Sequence, residues 1–224
     1  DFDVEGYWVT DEASIDRRSQ AIRNLQDQAA VDGRPLEVWF TLPVLPSGLT
    51  SDGLYVVESA LSHGVDIGGV NIMAMNYGDS AAPNPEGQMG DYAIEAAESL
   101  FAQMRDAYDT AGVPVTDAEL WSLVGVTPMI GQNDVRSERF YVEDAEGLLD
   151  FADDEQNLVI PVLRAKAGVC VMIKLLALTD AKCRRAEYDR GTRPVHTFLL
   201  CVFSRLLRRQ RLPMRMKSYL SGFL

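Results

Sequence analysis

Between residues 1 and 160, short apolar runs alternate with stretches of helical apolar spacing. That alternation restricts the fold to repeated strand-helix units around a parallel sheet. The run Asp1 to Glu5 reads as the end of a strand, followed by a helix with Ile15, Ile22, Leu25 and Ala29 on one face and Arg17, Arg18, Arg23 and Asp27 toward solvent. Leu36 to Leu42 reads as a buried strand ended by Pro43 and Pro46, and Thr50 or Ser51 can cap a helix carrying Leu54, Val57 and Leu61 before Gly64. A strand at Val70 to Met75 precedes a helix from about Asp91 to Ala111, which presents Ile94, Ala97, Phe101, Met104 and Tyr108 and stops at Gly112. Leu120 to Val126 reads as a further strand, Ala145, Leu148, Leu149 and Ala152 as a helix, and Asn157 to Leu163 as a fifth strand. A barrel of βα units and an open doubly wound sheet both fit this order. Neither G-x-G-x-x-G nor G-x-x-x-x-G-K-[ST] occurs, so a nucleotide site has no support.

Charge divides the chain near residue 160. The 21 basic and 33 acidic residues give a net −12, but residues 1–160 hold 7 basic and 30 acidic residues, a net −23, and residues 161–224 hold 14 and 3, a net +11. All four lysines and all three cysteines (Cys170, Cys183, Cys201) lie in the second segment. A surface at −23 without a basic patch argues against nucleic acid and anionic membranes as partners of the first segment, and favours a neutral or cationic substrate. No apolar run reaches the ~18 residues needed to span a bilayer. The cysteines have no metal-ligand spacing, and His63 and His196 stand in no recognisable triad.

The chemistry is concentrated at the start. Asp1, Asp3 and Glu5 alternate with Phe2 and Val4, so in a strand the three carboxyls share one face. Like charges that close cannot all ionise cheaply, and one is expected to hold a proton, as a general acid needs. Glu5, the longest and nearest the strand's C-terminal end, is the natural donor. The same spacing also fits a Ca²⁺ or Mg²⁺ site or a solvated edge strand.

DFDVEG resembles the end of the D-x-x-D-x-D-x-E signature on the fourth barrel strand of glycoside hydrolase family 18, the chitinase family. FTLPVLPSGLTSDGL, GVNIMAMNYG and VGVTPMIGQND are similar to the fifth, sixth and seventh strand regions of its bacterial and archaeal, chitinase-D-like branch. The likeness covers about residues 1–157. It implies a partial (β/α)8 TIM barrel, the fourth to seventh or eighth βα units, within an α/β fold. It further implies Glu5 as general acid, Asp3 as assisting carboxylate and Asp1 as the inner acid beneath them. Met75 and Tyr77 match the sixth-strand M-x-Y element, whose tyrosine contacts the substrate's N-acetyl group. Asn76 stands where the branch often has an acid, and Gly78 where the wider family has one; Asn76 can still hydrogen-bond a sugar. The implied reaction is hydrolysis of β-1,4-linked N-acetylglucosamine polymers by a substrate-assisted, retaining mechanism, on chitin or chitooligosaccharide, with no cofactor and no metal. A chitin-binding barrel without catalysis and an endo-N-acetylglucosaminidase remain alternatives. Trp8, Trp39 and Trp121 are candidates for a sugar cleft or for the core.

A barrel of this family has eight βα units, and the likeness begins at the fourth. The chain is therefore expected to be a fragment, of a parent expected to be secreted. Residues 161–224 are read as a separate basic tail, expected to be frameshifted or misassembled, against the alternative of a basic amphipathic interaction segment.

Overall fold

The computed structural model of the protein describes residues 1–154 and 163–164. All of them belong to one compact unit, Asp1–Ala177. The elements are β1 (Phe2–Asp3), a 3-10 turn (Gly6–Val9), α1 (Glu12–Val31), β2 (Trp39–Pro43), α2 (Ser51–Ser62), β3 (Gly69–Ala74), α3 (Met89–Ala111), α4 (Asp117–Ser122), β4 (Val124–Gln132), β5 (Arg139–Phe140), α5 (Val142–Asp154) and β6 (Leu163–Arg164).

Strands β1, β2, β3 and β4 are neighbours in that order, all parallel, and β6 adds to β4 in parallel. Each of these five parallel strands lies beside the parallel strand that precedes it in the chain, with no reversal of order among them. That is the winding of a barrel, and it decides against the doubly wound sheet.

The register separates two faces. Phe40, Val70 and Val124 align, as do Leu42, Ile72 and Val126, and all six are fully buried. Burial of each such side chain contributes roughly 1.5–3 kcal/mol, and this layer lies under the helices. The opposite face carries Asp1, Asp3, Thr41, Asn71 and Thr127, the polar residues of the barrel interior. Trp39 belongs to that inner face as well and lies flat across two neighbouring strands. A Cβ on Gly69 would fall 2.4 Å from its ring, and one on Gly125 3.1 Å, so both glycines leave the space that the indole fills.

Helix ends are locally encoded. The Asp11 and Thr50 side chains accept from Ser14 and Gly53 N–H, and Thr116 with Glu119 forms a full capping box. Gly112 ends α3 in the left-handed region, φ 68. Helices α1 and α2 are joined by polar contacts: Ser59 Oγ donates to Asp16 at 2.7 Å, Tyr55 donates to the same carboxylate at 3.1 Å, and Ser19 meets Ser59 at 3.0 Å.

Several expectations need correction. Leu120 and Trp121 lie in α4, not in a strand, because the Thr116 capping box starts a helix there; β4 begins at Val124. On α1 the buried face is Ile15, Ser19, Ile22 and Gln26, while Leu25 is 57% exposed. Gln26 is retained inside because its amide bonds Leu36 O, Asp66 O and Asp66 N–H. Arg18, expected in solvent, is half-buried, with Nε and one terminal nitrogen lacking a hydrogen-bond partner among the described residues; burial lowers its pKa. Strand β5, antiparallel to β4, was not anticipated. Of the strand expected at 157–163, only Leu163 is among the described residues, paired with Met129. The rest of that segment, and the tail from 161 apart from Leu163 and Arg164, lie outside them.

Candidate active site

In a parallel barrel the strand C-termini converge on one rim. Glu5 stands two residues beyond β1, Met75 to Tyr77 directly follow β3, and Thr127 to Gln132 form the last part of β4. The segments singled out from the sequence therefore share one end of the sheet.

Asp1, Asp3 and Glu5 are exposed, with Val4 between them 2% exposed. Both oxygens of Asp1 face the Thr41 hydroxyl of β2, at 3.0 and 3.2 Å. Thr41 Oγ1 in turn accepts from Asn71 Nδ2 of β3 at 3.2 Å, and Asn71 Oδ1 accepts from Thr127 Oγ1 of β4 at 2.8 Å. A line of polar side chains thus crosses four strands beneath the rim and ends on the first carboxylate. Among the described residues no group of three His, Cys, Asp or Glu side chains is arranged to hold a metal ion.

At the end of β3, Asn76 adopts φ 56, a left-handed conformation that is uncommon outside glycine and most accessible to Asn and Asp. Its side chain holds it there. Oδ1 accepts from the N–H of Asp134 at 2.9 Å and of Val135 at 3.3 Å, and Nδ2 donates to Asp134 Oδ2 at 3.3 Å. From the opposite loop, Glu138 returns the arrangement: its carboxylate accepts from Gly78 N–H at 2.6 Å and Tyr77 N–H at 3.2 Å, and from Asn133 Nδ2 at 3.3 Å. Glu138 is fully buried and, among the described residues, forms no ion pair. Two successive N–H groups make a small anion-binding concavity, here filled from within the chain. Ser137 to Asp79 at 2.6 Å and Tyr141 to Glu86 at 2.7 Å extend the same inter-loop seam.

Tyr77 lies between these loops, 6% exposed, its ring edge-on to Tyr92 at 6.3 Å. Its hydroxyl is 3.5 Å from Tyr92 O, at the outer limit of a hydrogen bond. Burial, followed by the charges of Glu138 and Glu95, pushes the phenol pKa far up, so the group stays a donor. Met75 is half-buried and Asn76 exposed. The backbone seam joins Asn76 and Tyr77 to the β4–β5 loop; their shared rim with Asp3 and Glu5 comes from strand order, two strands apart.

Of the tryptophans, Trp39 is inside the barrel, Trp121 stacks on Phe101 at 4.3 Å, and Trp8 is 61% exposed beside Tyr7. Sequence reasoning missed Thr41, Asn71, Thr127, Asn133 and Glu138. A signal existed for three of them: a polar residue at the centre of an apolar strand run has to be satisfied inside. Nothing comparable marked Glu138, one acid among many.

No family model matches the chain. It is 42% identical over 162 residues, 70% of its length, to a probable bifunctional chitinase/lysozyme of Escherichia coli (strain K12) and, over the same share, to endochitinase 11 of Metarhizium anisopliae. It spans only 18% and 30% of those two relatives. Its fold matches the crystal structure of the catalytic domain of the hyperthermophilic chitinase from Pyrococcus furiosus with a TM-score of 0.60 at 29% identity, covering 73% of this chain and 48% of that one. Strand order, the position of the acidic run and these likenesses agree that the described part of the chain is a partial chitinase catalytic barrel of the family 18 type.

Proposed function

We propose that the whole protein hydrolyses β-1,4-linked N-acetylglucosamine chains, as chitin or chitooligosaccharide, and that its substrate supplies the nucleophile. The observation that carries the reading is the run Asp1, Asp3, Glu5, in which Asp3 pairs with Thr41 on β2 and Glu5 follows two residues past the C-terminal end of β1. Glu5 gives its proton to the glycosidic oxygen while the sugar's acetamido oxygen attacks the anomeric carbon and the bond to the leaving sugar breaks. Water then opens the oxazolinium ion and returns a proton to Glu5, with net retention of configuration. Asp3 orients the acetamide and stabilises the positive charge, and Asp1 supports Asp3 from beneath. Tyr77, held as a donor by burial, takes the acetamide carbonyl once its side chain turns from the long contact to Tyr92. Met75 and Asn76 flank the sugar. A neutral polymer suits the strongly acidic residues 1–160. Secretion of the whole protein follows from an extracellular polymeric substrate.

The test uses the whole protein and a chitooligosaccharide with a free amine in place of the acetamide at the cleaved sugar. Turnover should vanish, and a thiazoline analogue of the oxazoline should inhibit competitively. A glycosyl-enzyme detected by mass spectrometry would overturn the mechanism by showing a protein nucleophile. Binding without turnover would move the assignment to a non-catalytic chitin-binding barrel.

A further inference from the structure

The four side chains that cross the barrel floor carry a direction as well as a connection. Asp1, as a carboxylate, can only accept, so the single hydroxyl hydrogen of Thr41 must point to it, at 3.0 and 3.2 Å from its two oxygens. Thr41 Oγ1 is then left with lone pairs toward β3, which fixes the Asn71 amide with its NH2 facing Thr41, at 3.2 Å. The Asn71 oxygen consequently faces β4, where Thr127 donates to it at 2.8 Å. Reversing any one amide or hydroxyl would place two acceptors or two donors in contact. Thr41, Asn71 and Thr127 are 8%, 2% and 2% exposed, and an unmet polar group there is costly.

The backbone is shaped for this line. Thr41 and Asn71 are register partners, whereas Asp1 sits one inward position before Thr41 and Thr127 one inward position after Asn71. The contacts therefore run obliquely up the barrel wall. At the position level with Asn71 on β4 stands Gly125, where a Cβ would lie 3.2 Å from both Asn71 Cα and Cβ. The missing side chain leaves Asn71 free to reach Thr127 instead.

We infer that Thr41, Asn71 and Thr127 are positioning residues for the acid cluster: a one-way hydrogen-bond relay that holds Asp1 as an acceptor pinned to β2. The inference rests on the reading of Asp1, Asp3 and Glu5 as the acid machinery. Asp1 is thereby held turned toward Thr41, in one orientation next to the strand that carries Asp3 and leads to Glu5. The relay thus acts on turnover through geometry and leaves sugar binding alone.

Two arms test it. In the full chain, NMR of the Asn71 side-chain amide should show a displaced pair of resonances in Asp1→Asn, an exposed and nearly isosteric change that lets the line reverse, and in Thr41→Val, but not in Thr41→Ser. In the whole protein, Thr41→Val and Thr127→Val should lower kcat on a chitooligosaccharide about 10-fold with KM changed less than about 2-fold, and the serine variants should restore it. Asn71 resonances unmoved by Asp1→Asn, or equal activity of the valine and serine variants, would overturn the relay. A whole protein without any hydrolysis refutes the chitinase reading itself, and the amide resonances then decide alone whether the relay exists.

Discussion

Asn76 and Glu138 each hold the backbone of the other's loop. Asn76 Oδ1 takes the N–H groups of Asp134 and Val135, and the Glu138 carboxylate takes those of Tyr77 and Gly78. The exchange joins the rims of two adjacent strands and keeps a left-handed asparagine next to a buried tyrosine, a conformation that needs such support.

Glu138→Gln should therefore loosen this seam. A carboxamide can accept with only one of its two ends, so one of the two backbone N–H groups would face a donor. The expected cost is about 1–3 kcal/mol, read as a lower urea midpoint at unchanged slope, with faster hydrogen exchange at the Tyr77 and Gly78 amides. Wild-type exchange at both amides would show that the carboxylate does not hold them.

Trp39 makes a second prediction. Gly69→Ala drives a methyl group into the indole face at 2.4 Å and should destabilise the unit by about 1–3 kcal/mol. Combining it with Trp39→Leu should recover part of that loss, because the smaller side chain vacates the contested space. Strictly additive effects in urea unfolding would mean that the ring and the glycine are not coupled.

How much of this was legible beforehand follows from which signals were local. Short apolar runs such as VNIMAM and helical spacing with Gly112 as a stop located β3 and α3 within a few residues, because local pattern determines them. Leu120 and Trp121, expected at the start of a strand, lie in a helix because the T-x-x-E box of Thr116 and Glu119 caps one there. The interior role of Gln26 is set by bonds to two separate loops, at Leu36 and at Asp66, which lie outside the helix's own pattern, and Leu25 beside it is exposed. The acid run was visible as spacing. Its partners Thr41, Asn71 and Thr127 became visible only when strand register brought them into line.

The α1–α2 contact gives a pH dependence. The Ser59 hydrogen bond, opposed by burial and supported by Tyr55 and the charge of His63, lowers the Asp16 pKa below its usual value. A carboxyl with a depressed folded-state pKa contributes stability that is present above its unfolded pKa, near 4, and is lost as pH falls through the folded value. Ser59→Ala should thus melt earlier than the wild type at neutral pH, with the difference shrinking below about pH 4. A difference that stayed constant into acid would dissociate the effect from ionisation of Asp16.

The central claim is that Glu5 delivers the proton in a chitinase-type reaction, and the whole protein carrying Glu5→Gln measures it most directly. The amide keeps the size and hydrogen-bonding reach of the side chain but has no acidic proton. Hydrolysis of a chitooligosaccharide should fall by about 10²–10⁴-fold, while its dissociation constant, measured by calorimetry, stays within about 3-fold of wild type. Equal turnover by wild type and Glu5→Gln would contradict the account.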